Sequence, residues 1–154
     1  MEMQFEEKYA MFWQEFGTGK KMVLSTALEN KVTSRMMSIV ALDGRLYFQT
    51  DRNFRKYAQL KENPNVALCI DNIQLEGHCE EIGHPFENTD FCKSYEQCFE
   101  SSFRRYTGLS EERLFVVIPD FIERWRYIEG EPYMEIFDVQ TKSYRLEKYV
   151  TERT

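Results

Sequence analysis

The sequence predicts a mainly β fold, an antiparallel barrel with flanking helices that spans residues 1–154 as one domain. Short β-branched or apolar runs are separated by turn-forming pairs such as Glu29-Asn30 and Asp43-Gly44, the pattern of a strand meander. Apolar residues at helical spacing are assigned to helices in three places: at the start, after Thr50 and after Pro85. Six to eight strands beside three helices leave open sheet edges unless the sheet closes on itself. A chain of 154 residues buries about 68–70 % of its extended surface, so one apolar core suffices without a metal or disulfide framework.

The elements follow in order. Phe5, Tyr9, Phe12, Trp13 and Phe16 form the apolar stripe of a first helix, which Gly17 and Gly19 end. Strands follow over Met22–Leu28, Val32–Leu42 and Leu46–Thr50, joined by two turns whose residues accept positive φ. Asn53 is placed to cap a helix from Phe54 to about Glu62, which Asn63-Pro64 ends. Val66–Asp71 and Ile73–Ile82 read as a further pair of strands or as one long bent strand, with Gly77 a bulge or a close-approach point. After Pro85, the residues Phe91, Tyr95, Cys98, Phe99, Ser102, Phe103 and Tyr106 keep helical spacing up to Gly108, which makes Cys98 a core thiol. Leu114–Ile118 reads as a strand closed by Pro119. Phe121–Ile128 fits one helical face as well as a strand, and the alternation of Glu123-Arg124-Trp125-Arg126-Tyr127 assigns it to a strand. Tyr133–Phe137 and Ser143–Tyr149 complete a last hairpin.

Charge and composition exclude several functions. With 20 Lys+Arg against 26 Asp+Glu, the net charge of -6 argues against a nucleic-acid binder or a basic membrane-surface protein, so any anion site must be local. No apolar run reaches the length of a transmembrane helix or a signal-peptide core, and the expected location is cytoplasmic. Cys69, Cys79, Cys92 and Cys98 form no CxxC pair and read as thiols in a reducing compartment. His78-Cys79 and His84 lack a second ligand pair, so no metal is expected. The acid pairs Glu6-Glu7, Glu80-Glu81 and Glu111-Glu112 read as solvated faces. Aromatics at 15 % exceed what is usual, enough to fill a core and still line a pocket or a subunit interface.

The chemistry concentrates in Arg35 to Lys56. This acidic chain gathers Arg35, Arg45, Arg52, Arg55 and Lys56 there, and Arg55-Lys56 fall in a helix first turn, where basic residues oppose the macrodipole. Free backbone N–H groups at that end favour an anion. Pairing through Asp43-Gly44 would set Arg35 opposite residue 52, just past Thr50, so that an arginine, a hydroxyl, a helix start and two more cations converge on one phosphate. A solvated basic edge with helix-surface charges is the alternative reading of the same residues.

An ordered set of motifs then stands out: Leu24-Ser25-Thr26-Ala27, Arg35-Met36-Met37-Ser38-Ile39-Val40, Asp43 through Thr50, the Arg55-Lys56 pair, Asn63 through Leu68, and Leu75-Glu76-Gly77. From Met22 to Gly83 the chain resembles the FMN-binding split-barrel superfamily typified by pyridoxamine 5'-phosphate oxidase. The resemblance implies a homodimer of six-stranded split barrels with FMN at the subunit interface. It implies that Arg35, Thr50, Arg55 and Lys56 hold the phosphate and ribityl chain, that the backbone of Met36, Met37 and Ser38 lies along the isoalloxazine, and that Gln49 touches the flavin. Asn72 falls where a further polar contact is usual.

Departures from the family pattern set limits. Phe54 stands where a serine often begins the helix, leaving Asn53 as the candidate substitute, and Val40 stands where the oxidase itself has a lysine for substrate phosphate. Tyr144-Arg145-Leu146-Glu147 lacks the proline of the oxidase's C-terminal segment. The expected function is therefore that of a small FMN-dependent reductase or oxidase. It would pass electrons from a nicotinamide donor to a small acceptor other than pyridoxamine 5'-phosphate. A non-catalytic module binding FMN, haem or another anionic ligand is the alternative.

Overall fold

The computed structural model describes residues 2–151. Eight strands are present: β1 (Gly19–Leu28), β2 (Lys31–Leu42), β3 (Arg45–Asp51), β4 (Asn65–Ile70), β5 (Ile73–Glu81), β6 (Glu112–Ile128), β7 (Glu131–Asp138) and β8 (Ser143–Lys148). They run in the order β3-β2-β1-β4-β5-β6-β7-β8, and β3 also pairs with β6, which closes six of them into an antiparallel barrel. The expected turns form for the expected reason. Glu29 and Asn30 (φ 51° and 64°) and Asp43 and Gly44 (φ 51° and 73°) place positive φ at both central positions of two-residue hairpins, whose twist matches the strands.

Pro119 does not end a strand, in contrast to the sequence expectation. β6 runs unbroken through it for 17 residues and changes partner there, from β3 (up to Val117) to β7 (from Phe121). Opposite it, the β5–β6 register shifts between Glu76 and Gly77, leaving Asp120 as the extra residue of a bulge. Proline is tolerated at bulges because no ladder donor is needed. Gly77 is obligatory at this point, since a Cβ would sit 2.6 Å from the Ile118 carbonyl oxygen.

Among the described residues four α-helices flank the barrel: α1 (Glu2–Phe16), α2 (Arg55–Glu62), α3 (Thr89–Cys98) and the single turn α4 (Glu100–Ser102). α1 lays Phe5, Phe12 and Phe16 onto a core that includes Leu24, Ile39, Phe48, Phe115 and Phe137. Burying side chains of this size stabilises by about 1.5–3 kcal/mol each. α3 covers the outer face of the barrel through Phe91 and Tyr95, which pack on Val40 and Leu114. The single helix expected through Tyr106 is divided: Phe99 leaves helical geometry (φ -139°, ψ 60°), and after α4 the chain makes a π-turn over Phe103–Thr107. Cys98 is consequently exposed rather than in the core, although its Sγ lies close enough to β1 that only a glycine fits at residue 19. All four cysteines are free thiols. Among the described residues no helix is long and apolar enough to cross a membrane.

The feature that positions the site is a split between β2 and β3. Their ladder has three rungs, Leu42↔Arg45, Ala41↔Leu46 and Val40↔Tyr47, and ends there. From Ile39 back to Lys31, β2 pairs with β1 alone.

Candidate anion and cofactor site

The first half of the site is the start of α2. β3 ends at Asp51, whose Oδ1 accepts the Asn53 N–H at 2.8 Å and whose carbonyl accepts the Phe54 N–H at 3.1 Å. This Asx turn redirects the chain into the helix. Asn53 is therefore not the cap that its sequence position suggests: its own N–H is held by Asp51, and the cap residue is Phe54, which offers no side-chain acceptor. No acidic residue occupies the first turn of α2, where Arg55 and Lys56 stand instead. A helix start in this state presents backbone donors and the positive end of the dipole without internal compensation.

Arg35 joins this helix by a different route from the expected one. The Asp43-Gly44 register is as anticipated, but the split ends the β2–β3 ladder before Arg35 can face residue 52. Its guanidinium instead reaches across the barrel end toward α2. Nη1 donates to the Leu24 carbonyl (3.1 Å) and the Thr26 hydroxyl (3.0 Å), and Nη2 donates to Thr33 Oγ1 (2.7 Å) and Gln59 Oε1 (3.4 Å). Every one of these acceptors is neutral. Burial, then the Arg55 charge, holds the Arg35 guanidinium below its ordinary range. Burial, then Arg35, likewise lowers the Lys56 ammonium, against an opposing pull from Glu112 and Asp51. The three cations thus share one electrostatic neighbourhood, and among the described residues none of them forms an ion pair. Lys56 Nζ rests 4.9 Å over the Phe54 ring. Arg52, by contrast, is paired with Glu111, and Arg45 lies at the far end of β3. Thr50 supplies the deciding detail. Its hydroxyl is buried and has no hydrogen-bond partner. A buried hydroxyl left unpaired costs about 1–3 kcal/mol.

The second half of the site is the open edge of β2. Ala41 N–H donates to Thr18 O on the β1 side, so strand alternation turns the N–H and C=O of Met36, Ser38 and Val40 to the other edge. Val40 meets β3 there, whereas Met36 and Ser38 do not. Met36 is exposed and Met37 packs on the core, so the two methionines face opposite ways. Gln49 is buried and accepts the Thr107 hydroxyl at 2.9 Å, which leaves its amide for Glu112. Burial raises the Tyr95 hydroxyl above its ordinary range, with Ser38 and Ser102 opposing the shift.

Glu112 is a residue that the sequence reading missed. It belongs not to a solvated face but to the buried set, opposite Asp51 on β3. Burial, with Asp51 adding to it, raises its carboxyl to about 7. Asn72 is not brought to this region by any contact; its amide donates to the Trp125 carbonyl at 2.6 Å in the β4–β5 turn. Among the described residues no group of three or more His, Cys, Asp or Glu could hold a metal ion.

The model of the pyridoxamine 5'-phosphate oxidase family matches residues 5–127, most of the chain. The chain belongs to that family. No curated relative matches it. Among solved structures, the family fold recurs in General Stress Protein 26 from Bacillus anthracis, which is 25 % identical with a TM-score of 0.56 over 75 % of this chain and 89 % of that one. It recurs in a pyridoxamine 5'-phosphate oxidase-related, FMN-binding protein from Nostoc punctiforme (12 % identical, TM-score 0.57, 85 % and 87 % covered). A haem-binding protein from Mycobacterium smegmatis also shares it (11 % identical, TM-score 0.62, 81 % and 55 % covered).

Proposed function

We propose that the chain binds FMN and serves as an oxidoreductase of the pyridoxamine 5'-phosphate oxidase family, passing electrons from a nicotinamide donor to a small acceptor. The observation that carries this reading is the buried, unpartnered Thr50 hydroxyl near the end of β3, the strand that leads into α2, whose first-turn Arg55 and Lys56 share the field of Arg35 and form no ion pair among the described residues. A phosphate monoester is an anion of the right kind: it accepts from the Thr50 hydroxyl and the first-turn amides of α2, and it offsets the cations. Met36 and Ser38 then offer backbone donors and acceptors along the β2 edge to a flat heteroaromatic ring, with Gln49 beside them. A flavin supplies the hydride chemistry, and the protein supplies binding, orientation and electrostatics. Met36 and other exposed apolar residues of the barrel wall, such as Val32, suit the homodimer in which such a ring is shared between subunits.

Haem is served less well by these residues. His78 faces Asp120 at 3.1 Å, and His84 caps its own turn and contacts the Leu109 carbonyl, so both imidazoles are engaged away from the site. The test is anaerobic addition of NADH or NADPH to the FMN-loaded protein. Bleaching of the flavin, followed by return of colour on adding an acceptor, supports the enzyme. A flavin that neither nicotinamide reduces leaves a binding module instead.

A further inference from the structure

Arg35 is half-buried and feels the charge of Arg55, so its natural local partner would be a carboxylate. The group that reaches it from α2 is the neutral amide of Gln59. Gln59 is buried, and its Oε1 accepts three donors: the Thr26 hydroxyl at 2.7 Å, the Thr33 hydroxyl at 3.2 Å and Arg35 Nη2 at 3.4 Å. Thr26 and Thr33 face each other across the β1–β2 ladder, so the acceptors of the clamp are fixed by the sheet as well as by the helix. Gln59 lies four residues past Arg55 and three past Lys56, which puts it on the same side of α2 as both cations. Asn63 Nδ2 donates to the Ala27 carbonyl at 3.0 Å and holds the other end of α2 to β1.

We propose that Gln59, with Thr26 and Thr33, is the positioning device of the anion site: a neutral clamp that fixes the Arg35 guanidinium beneath the first turn of α2 while leaving its charge for a phosphate. Four of the five guanidinium N–H groups are committed to neutral acceptors, and the cation itself is left uncompensated. A glutamate at 59 would occupy the same volume, keep the same acceptor and cancel that charge. The amide therefore sets the specificity for an anionic ligand, and this assignment rests on the FMN-phosphate reading above.

The experiment compares FMN with riboflavin, which lacks the phosphate, on the full-length protein. Gln59→Glu is expected to keep or raise thermal stability, because it gives Arg35 a counter-ion. FMN affinity is expected to fall at least about tenfold, the loss expected of one charge-assisted contact, with riboflavin affinity changed less than about twofold. A purely structural role for Gln59 would move stability and leave the FMN-to-riboflavin ratio alone. Thr33→Val removes the shortest acceptor of Nη2 at a half-buried position and provides a second variant if Gln59→Glu does not fold. It is expected to lower FMN affinity several-fold with riboflavin again unaffected. If the parent prefers FMN and Arg55→Gln abolishes that preference while Gln59→Glu, or Thr33→Val in its place, leaves it intact, the clamp is overturned and the phosphate reading stands. If the parent binds both flavins equally, both fall.

Discussion

Replacing Arg55 or Lys56 with glutamine separates a phosphate ligand from a surface charge, because the two roles predict different signs. In the protein without ligand, both residues oppose the α2 dipole and lie near the Arg35 charge, and among the described residues neither forms an ion pair, Glu112 and Asp51 only partly offsetting the charge of Lys56. Removing either charge should leave the apoprotein unchanged or stabilise it by about 0.3–1 kcal/mol. In the complex, each loses a charge-assisted contact of about 1.5–3 kcal/mol, a fall of roughly one to two decades in FMN affinity. The assay is fluorescence titration of the apoproteins with FMN and with riboflavin, alongside denaturant melts. Riboflavin should bind parent and variants almost equally, which separates a lost phosphate contact from general damage. An FMN dissociation constant unchanged in both variants would refute the phosphate assignment, whatever their stability.

Four further outcomes follow from the same geometry. Thr50→Val replaces the unpartnered hydroxyl by a methyl group of similar size, so the apoprotein should gain up to about 1–3 kcal/mol in denaturant melts while FMN binding weakens; an apoprotein destabilised with FMN affinity intact would contradict this. Glu112 keeps its proton in the fold up to about 7 and releases it near 4.5 when unfolded, so its contribution to stability is full below pH 4.5 and lost as the pH rises to about 7. Glu112→Gln should flatten that part of a stability–pH profile, and an identical profile would remove the carboxyl from the account. Light scattering should give about 37 kDa, twice the 18.5 kDa chain, and a monomer that holds FMN tightly would sink a site shared between subunits. Pyridoxamine 5'-phosphate should not be oxidised, because Val40 is an uncharged side chain buried under α3; turnover at an ordinary enzymatic rate of about 1–1000 per second would show that inference wrong.

What was legible in the sequence was what local chemistry decides. Asp43-Gly44 and Glu29-Asn30 specify their turns because positive φ is a property of the residues themselves, and the aromatic stripe of α1 specifies a buried face. What was not legible depends on distant partners. Pro119 looks like a strand end until Gly77 on β5 offers the bulge that absorbs it. Asn53 is a good cap by type, but Asp51 two residues earlier captures its N–H first. Glu112 looks solvated beside Glu111, yet it is buried where β6 pairs with β3; an acid directly opposite Asp51 was the available signal. Arg35, Arg55 and Lys56 do share one electrostatic neighbourhood, yet Arg35 arrives through Gln59 rather than through the β2–β3 ladder. The Asp43-Gly44 turn sets the register of that ladder but not the rung at which it ends.

The most direct measurement is the visible absorption spectrum of the purified full-length protein, loaded with FMN and then passed through gel filtration. The two-band spectrum of oxidised flavin, travelling with the protein in near-equimolar amount, is the result the proposed site requires. A protein that emerges colourless after loading, or one that carries a Soret band instead, would contradict it.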